Sequence, residues 1–410
     1  MLLNYIWIAF FIIGGIVALV RVLFSGDVAV FNEMSEALFA AADTGFKISL
    51  GLAGVLTLWQ GLLNIAEKSK LTEAVAHRTS PFFHILFPSL PKGHPVVGTM
   101  LMNFSANLLG LDNAATPLGL QTMRQLQELN SDKEKASDAM IMFICINASG
   151  LTLIPITIIM YRMQMGSTSP ADIFLPILLS TGASTLVAIL LTAIRQRINL
   201  FKKAFLVPLS CFLVIVALIV WWSSQVDKET LTRQSALVSN LALIGGVIFF
   251  VVKGMLSKRN VYEDFIDGAK DGFNTAITII PYIVAILVGV SIFRSSGAMD
   301  WLLHGVSYMV SSVGLDTSWV DALPTMLMKP LSGSGARGLM IDAMQVYGAD
   351  SFVGRLVSMV QGSCDTTFYI LALYYGSVAV KNTRYTLGIS LISDLVGMVV
   401  AVTLAYTLYL

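Results

Sequence analysis

The sequence predicts an all-α polytopic membrane protein, with about nine transmembrane helices and two re-entrant helical hairpins in an inverted repeat. Its 410 residues are 56% hydrophobic and only 12% charged, and the mean hydropathy is +0.76. A soluble domain carries about 25% charged residues, so this composition is typical of a membrane protein. Two short polar patches interrupt long apolar stretches, one in each half of the chain. Polar groups persist at membrane depth mainly where they line a cavity or a path.

Several apolar stretches approach or exceed the roughly 18 residues that a helix needs to cross a bilayer. The plainest are residues 3–20, 204–222, 237–252 and 386–410. The first stretch has no basic leader and no small-residue cleavage site before Arg21, which predicts a retained helix rather than a signal peptide. The three cysteines are widely spaced and indicate neither a metal motif nor a disulfide framework.

Lysine and arginine mark the loops that we expect on the cytoplasmic side. They occur in five segments, at residues 68–92, 133–135, 195–203, 253–259 and 381–384. The acidic segment 27–43 and the turn at 166–170 then fall outside. This pattern predicts an N-terminus inside and a C-terminus outside.

Similar motifs recur in the same order in the two halves. The segment that begins at Glu36 resembles the one that begins at Glu263, and residues 147–152 resemble 361–366 at a shift of 214 residues. Chance similarity between apolar helices is the alternative. The charge pattern gives the matching helices opposite directions across the membrane. Inverted repeats with discontinuous helices are a recurrent transporter architecture, so the sequence predicts two inverted halves.

Two segments are too interrupted to span the membrane cleanly. Residues 96–123 contain Asn, Gly, Asp and Pro, and residues 320–344 contain two prolines, Lys329 and a run of small residues. Each is long enough for a hairpin that enters the membrane and returns, the first from the cytoplasmic side and the second from outside. Small residues at the tips would let the backbone approach a ligand. Half-helix N-termini at such tips suit anions or polar oxygens.

Two charged residues of the second half are the main candidates for ligand contact. Arg337 follows a serine- and glycine-rich run and could hold a carboxylate or phosphate; its alternative is a structural ion pair with Asp342 or Asp365. Asp365 lies in a segment that we expect to unwind around Gly362, because its consecutive polar side chains cannot all face one direction. Asp365 is the strongest candidate for a buried ionisable group, as a Na⁺ or H⁺ site or a counter-ion. Its alternative is a helix cap.

The corresponding polar positions of the first half carry no charge except at Asp112, whose alternative is a turn at the hairpin tip. The predicted substrate-binding residues of the first half are Asn103, Asn107, Asp112, Asn113, Thr116, Asn147, Ser149 and Thr152. Those of the second half are Ser332, Ser334, Arg337, Gln361, Ser363, Asp365, Thr366 and Thr367. The predicted site is therefore asymmetric, with its charge mainly in the second half.

Other function classes lack support in the sequence. A Walker A loop, a nucleophile elbow and a His-Glu-x-x-His helix are missing, so no enzyme is predicted. The spacing of His77, His84 and His94 fits no familiar zinc motif. A net charge of +1 without a dense basic patch excludes a general role in nucleic-acid binding. We expect no cofactor; the expected partners are a small polar solute and the lipid bilayer, with a homo-oligomer left open.

At these motifs the chain resembles the spore maturation proteins A and B, joined in one polypeptide. Resemblance to the A protein lies in NFSANLLGLDNAATP at 103–117 and INASGLTLIP at 146–155, and resemblance to the B protein in KPLSGSGARG at 329–338 and QGSCDTTFY at 361–369. This family belongs to the nucleoside recognition or Gate group, which is similar to the core of concentrative nucleoside transporters. The resemblance implies re-entrant hairpins, an inverted repeat and a substrate site between hairpin tips and unwound helices. It does not establish a nucleoside as the substrate.

Three hypotheses of function follow. The leading one is a transporter or permease of the bacterial cytoplasmic membrane for a small polar solute, nucleoside-like or anionic, with Na⁺ or H⁺ as the coupling ion. Its Gate-like halves would be residues 1–200 and 236–410, joined by a linking helix and loop at 201–235. The second is a non-transporting subunit that recruits or regulates partners in envelope or spore maturation, with closed polar networks. The third, lipid or cell-wall precursor handling within the membrane, would show a lateral opening between helices.

Overall fold

The computed structural model describes residues 2–91, 94–109, 112–153, 155–225 and 228–410, and these residues form helices and no β-strand. The described helices are α1 (Leu2–Ser25), α2 (Val30–Lys68), α3 (Leu71–Leu86), α4 (Pro95–Leu109), α5 (Asp112–Leu129), α6 (Asp138–Ser149), α7 (Ile156–Gln164), α8 (Phe174–Gln196), α9 (Lys203–Gln225), α10 (Lys228–Leu256), α11 (Val261–Ser295), α12 (Ala298–Ser312), a 3-10 turn (Val320–Ala322), α13 (Leu323–Met328), α14 (Gly333–Tyr347), α15 (Phe352–Gly362), α16 (Thr367–Gly376) and α17 (Thr386–Tyr409). The predicted apolar stretches 204–222 and 237–252 lie within α9 and α10.

Long apolar helices dominate this fold. Within the described residues, six helical segments are long and apolar enough to cross a membrane: α1, α2, α8, α11, α15 with α16, and α17. Large apolar side chains such as Ile12, Leu241 and Tyr308 remain exposed on helix surfaces, where lipid tails can cover them. The predicted class, an all-α multi-pass membrane protein, is therefore confirmed.

An antiparallel pair formed by α2 and α11 is the longest helix contact. Gly45 lies against Val284 near one end of the pair, and the Asn64 Nδ2 donates to the carbonyl of Asp264, 2.6 Å away, near the other. The two backbones approach closely because glycines face the contact. A Cβ at Gly272 would lie only 2.5 Å from a carbonyl oxygen of α2. The helix that opens the second half thus runs opposite to its counterpart in the first.

The two halves have the same order of elements. A long helix (α2 or α11) is followed by a short one (α3 or α12), a helix pair (α4–α5 or α13–α14), an interrupted helix (α6–α7 or α15–α16) and a long apolar helix (α8 or α17). Asn147 and Gln361, which the sequence repeat aligns, are each the tenth residue of their helix, α6 and α15. The matching motifs therefore occupy matching positions in the fold.

Ion pairs join basic loops that the charge pattern assigns to one side. The Lys381 Nζ lies 2.7 Å from the Glu134 Oε1, and the Arg384 Nη1 lies 2.6 Å from the Asp138 Oδ1. The segments 133–135 and 381–384 are thus in contact at one end of the molecule. Which end is cytoplasmic stays a prediction.

A second ion-pair cluster joins the segment before α8 to the segment before α15. The buried Arg162 Nη2 lies 3.0 Å from both the Asp172 Oδ1 and the Asp350 Oδ1. Burial opposes ionisation of Asp350, but hydrogen bonds from Ser167 and Thr168 hold the pKa of its carboxyl below the ordinary value. Charge-assisted contacts at Arg162 therefore join the two halves of the chain.

Candidate functional site

The interrupted helices of the two halves cross at their breaks. Helix α6 ends at Ser149 with Gly150 in the left-handed region (φ +64°), and four residues, 363–366, separate the end of α15 from the start of α16. The backbone N–H of Asp365 donates to the Ala148 carbonyl over 2.9 Å. A Cβ on Gly150 would lie 2.7 Å from the Asp365 nitrogen, so a glycine is needed for the backbones to approach this closely. The predicted unwinding at Gly362 is confirmed, and the first half contains a matching break.

A polar cavity of about 370 Å³ lies beside this crossing. Both breaks and both helix pairs, α4–α5 and α13–α14, contribute residues to its wall. Seven of the predicted substrate-binding residues line it: Asn107, Thr116, Asn147, Thr152, Arg337, Gln361 and Asp365. Residues from distant parts of the sequence, and from both halves, are thus brought together around one volume.

Two cations of the second half face this cavity. Arg337 lies with its guanidinium carbon 5.6 Å from the ring centroid of Tyr161, and Lys329, itself largely buried, also lines the wall. Throughout the described residues, no carboxylate oxygen lies within 4 Å of the charged nitrogens of Arg337 or Lys329. The alternative that Arg337 pairs with Asp342 is wrong, because Asp342 pairs with Arg294 over 2.5 Å. Both cavity cations therefore remain able to contact an anion.

Asp365 is exposed in the cavity wall, which corrects the prediction of a buried ionisable group. It lies on the unwound segment between α15 and α16, and its Oδ1 accepts a hydrogen bond of 2.7 Å from the N–H of Thr366.

The buried acid nearby is Asp394 of α17, which is 1% exposed. Its Oδ2 accepts a hydrogen bond of 2.7 Å from the Thr367 hydroxyl, and its Oδ1 has no partner in the described part of the chain.

Amide side chains provide the neutral polar part of the wall. The Asn107 Nδ2 donates to the Asn147 Oδ1 over 2.7 Å, which links the helix pair of the first half to its broken helix. The Gln361 Nε2 donates to the Gly333 carbonyl over 3.4 Å, while its Oε1 is buried without a partner among the described residues. A buried polar atom without a partner is costly, so the Gln361 oxygen is suited to accept a hydrogen bond from a ligand.

The other predicted residues lie outside the cavity wall, and most of them use a polar group within the fold, although the Asn103 Oδ1 is buried without a partner among the described residues. The Asn103 amide donates to the Ala115 carbonyl over 2.7 Å, and the Ser332 hydroxyl caps α14 by accepting the N–H of Gly335 over 3.0 Å. The full set is Asn103, Ser149, Ser332, Ser334, Ser363, Thr366 and Thr367. The side chains of Asp112 and Asn113 lie outside the described residues.

Sequence reasoning missed several residues of the wall. Lys329 opens the KPLSGSGARG motif, and a lysine within an apolar stretch is a signal that could have placed it in the site. The tyrosines Tyr161, Tyr369 and Tyr374 also line the cavity. Their sequence surroundings carry no comparable signal, since aromatic residues are common in membrane helices.

The fold and the site together define a multi-pass membrane protein of the transporter-like kind, with a central polar cavity built from two similar halves. The chain belongs to the Gate family, described as nucleoside recognition, whose profile matches residues 49–166 and 276–381, more than half of the chain. Both helix breaks lie within the matched regions.

Individual relatives agree with this assignment. The chain is 40% identical to spore maturation protein A of Bacillus subtilis over 190 residues, which cover 46% of this chain and 93% of that protein. It is 38% identical to spore maturation protein B of the same organism over 167 residues, 41% of this chain and 90% of that protein. The inner membrane protein YjiG of Escherichia coli K12 is 28% identical over 136 residues, 32% of this chain and 76% of that protein. The predicted resemblance to a fused A and B protein is thereby confirmed.

Proposed function

We propose that the chain is a secondary transporter or permease for a small polar solute that binds in the polar cavity. The observation that carries this proposal is the composition of the wall, to which both helix breaks and both helix pairs contribute. Helix ends leave backbone N–H and C=O groups without intrahelical partners. At membrane depth such groups are tolerated where they line a water-filled cavity, which a solute can enter.

We further propose an inverted repeat with nine membrane crossings. These would be α1, α2, α6–α7, α8, α9, α10, α11, α15–α16 and α17. The pairs α4–α5 and α13–α14 would then be re-entrant hairpins from opposite faces, within halves at residues 1–200 and 236–410. Support comes from the antiparallel direction of α2 and α11 and from the ion pairs between segments 133–135 and 381–384.

We propose that the solute carries an anionic group. Lys329 and Arg337 line the cavity without a carboxylate within 4 Å in the described chain, whereas Asp365 is the one described carboxylate in the wall. Arginine binds carboxylate or phosphate oxygens through two N–H groups at once. The ring of Tyr369, which is exposed and lines the cavity, suits contact with a planar group, such as the base of a nucleoside-like solute. The cavity volume of about 370 Å³ fits a small molecule.

We assign coupling to Na⁺ or H⁺ to Asp365, because its carboxylate borders the cavity. One of the carboxylate oxygens accepts a hydrogen bond from the backbone N–H of Thr366.

We place the protein in the bacterial cytoplasmic membrane; the relative YjiG is called an inner membrane protein. The alternative, a non-transporting subunit, would require closed polar networks with Arg337 and Asp365 paired. The open cavity supports transport instead.

Uptake into liposomes tests the proposal. The purified chain is reconstituted, and entry of labelled dicarboxylates, phosphorylated sugars, nucleosides and nucleotides is measured with and without Na⁺ and pH gradients. We expect flux of at least one anionic solute, reduced about 10- to 100-fold by Arg337→Gln or Lys329→Gln, because a hydrogen bond to a charged group contributes about 1.5–3 kcal/mol. Arg124→Gln is the matched control, since Arg124 is exposed on α5 and does not line the cavity. Folded protein without flux of any solute class would count heavily against transport.

A further inference from the structure

A second cavity, which we call the lateral cavity, lies among α3, α4, α6, α8 and α9 and measures about 630 Å³. Its wall is mainly apolar and includes the rings of Phe82, Phe83 and Phe104 and the aliphatic side chains of Ile189 and Val207. The ring planes of Phe83 and Phe104 are stacked at 4.7 Å between centroids. Such a surface suits hydrocarbon and offers little to a polar solute.

Two basic residues belong to the lining of the lateral cavity. Arg78 of α3 and Lys203, the first residue of α9, both line it and are both exposed. Over the described residues, no carboxylate lies within 4 Å of either charge. Both residues belong to segments that the charge pattern assigns to the cytoplasmic side. Anionic lipids of that leaflet attract basic residues close to a membrane surface.

The lateral cavity adjoins the polar cavity. Asn107, Asn147 and Gly150 line both cavities. The hydrogen bond of 2.7 Å between the Asn107 Nδ2 and the Asn147 Oδ1 therefore lies in the wall that the two cavities share. A molecule in the lateral cavity would contact the same side chains that face the polar cavity.

We propose that the lateral cavity binds an anionic phospholipid, with its phosphate between Arg78 and Lys203 and an acyl chain extending along the phenylalanine wall to Asn107. The cavity has an apolar wall, two cations in its lining and a location among membrane helices, where acyl chains are the abundant apolar molecules. The bound chain seals the side of the polar cavity against the bilayer. This lipid site does not depend on which solute, if any, the protein transports.

Photo-crosslinking tests the lipid site. The full chain is placed in nanodiscs with phosphatidylglycerol carrying a diazirine on one acyl chain, and labelled peptides are mapped by mass spectrometry. We expect labelling concentrated on α3, α4 and α9 around Phe82 and Phe104. Unlabelled phosphatidylglycerol should displace the probe better than phosphatidylcholine with the same chains. Arg78→Gln and Lys203→Gln should each reduce labelling about fivefold, the contribution expected of one basic residue near an anionic surface.

Cavity-filling variants complete the test. Ala204→Trp and Val207→Trp each place an indole in the lateral cavity and should abolish this labelling, and Val207 is 58% exposed, so its replacement should leave the fold intact. Leu241→Trp, on the exposed face of α10, is the matched control. Labelling of the cavity no stronger than that of exposed α10 residues would overturn the proposal. So would labelling unchanged by the filling variants, or equal displacement by both lipids, which would indicate ordinary annular lipid.

Discussion

Gly150→Ala is the substitution that tests the crossing of the two broken helices. Gly150 has φ +64°, and an added Cβ would lie 2.7 Å from the Asp365 nitrogen and 3.0 Å from the Cys364 carbonyl carbon. Both atoms are backbone, so a change of side-chain rotamer cannot relieve the overlap. The break between α15 and α16 must therefore move away from the end of α6.

The size of the effect follows from two contributions. An alanine in the left-handed region costs about 1–2 kcal/mol. Restoring an ordinary contact of 3.4 Å requires a shift of about 0.7 Å, which would take the Asp365 N–H beyond normal hydrogen-bond distance from the Ala148 carbonyl, now 2.9 Å away. The Ala148 carbonyl, which is fully buried, would then be left unpaired at a cost of about 1–3 kcal/mol. We expect Gly150→Ala to lower the free energy of unfolding by about 2–5 kcal/mol.

Gly166→Ala is the matched control, because Gly166 has φ +78° and nothing within 4 Å of an added Cβ. It should lose only the backbone contribution of about 1–2 kcal/mol. Unfolding in mixed micelles measures both variants, and amide hydrogen exchange follows the Asp365 N–H, which should exchange roughly 5- to 150-fold faster in Gly150→Ala alone. Equal losses of stability in the two variants, with unchanged exchange at Asp365, would refute the crossing contact.

Three further substitutions address buried and interfacial charges. Arg162→Gln should lower the free energy of unfolding by about 3–5 kcal/mol, because the buried carboxylate of Asp172 would lose one of its cationic partners. The control is Lys47→Gln, which removes an exposed ion pair and should cost at most about 1 kcal/mol in the same unfolding assay. The pKa of Asp350 is lower in the folded state than in the unfolded state, so this carboxylate stabilises the fold above the unfolded-state pKa. That contribution is lost as the pH falls through the folded-state pKa. Asp350→Asn should therefore remove this part of the decrease in the free energy of unfolding at acid pH. Asp394→Asn should unfold no more easily than the wild type, because a buried carboxylate with one hydrogen bond is itself costly, and a loss above about 2 kcal/mol would contradict this.

The class of fold was predictable because it depends on composition and length. An apolar stretch of about 20 residues has few alternatives to a membrane helix, so α1 and α17, which match the predicted stretches 3–20 and 386–410, follow from hydropathy alone. The break at Gly362 was predictable for a similar reason, since a run of polar residues cannot all face one side of a helix. Hydropathy does not predict which helices contact each other. The close approach at Gly272 depends on the opposing backbone, which the local sequence does not encode.

The site was predictable at the level of motifs and less so at the level of side chains. Asn147 and Gln361 occupy equivalent positions in the repeat, and both face the cavity. Ser332 stands in an equally polar motif, yet its hydroxyl caps α14. A serine that caps a helix and one that binds a ligand look alike in a sequence, because the difference lies in which backbone N–H is nearby. The prediction that Asp365 is buried was wrong for the same reason: the unwound segment places it in the cavity wall.

The two halves contribute unequal chemistry to a cavity that they build from similar helices. In the described wall, the first half supplies neutral amides at Asn107 and Asn147, while both cations, Lys329 and Arg337, come from the second. The two breaks also differ where they meet, because the first half has a glycine, Gly150, in contact with the backbone of Asp365 in the second half. A solute with an anionic group would therefore bind with that group toward α13–α14 and its neutral part toward α4. Two helix breaks meet at one place, and the differences between the residues around them give the cavity a direction.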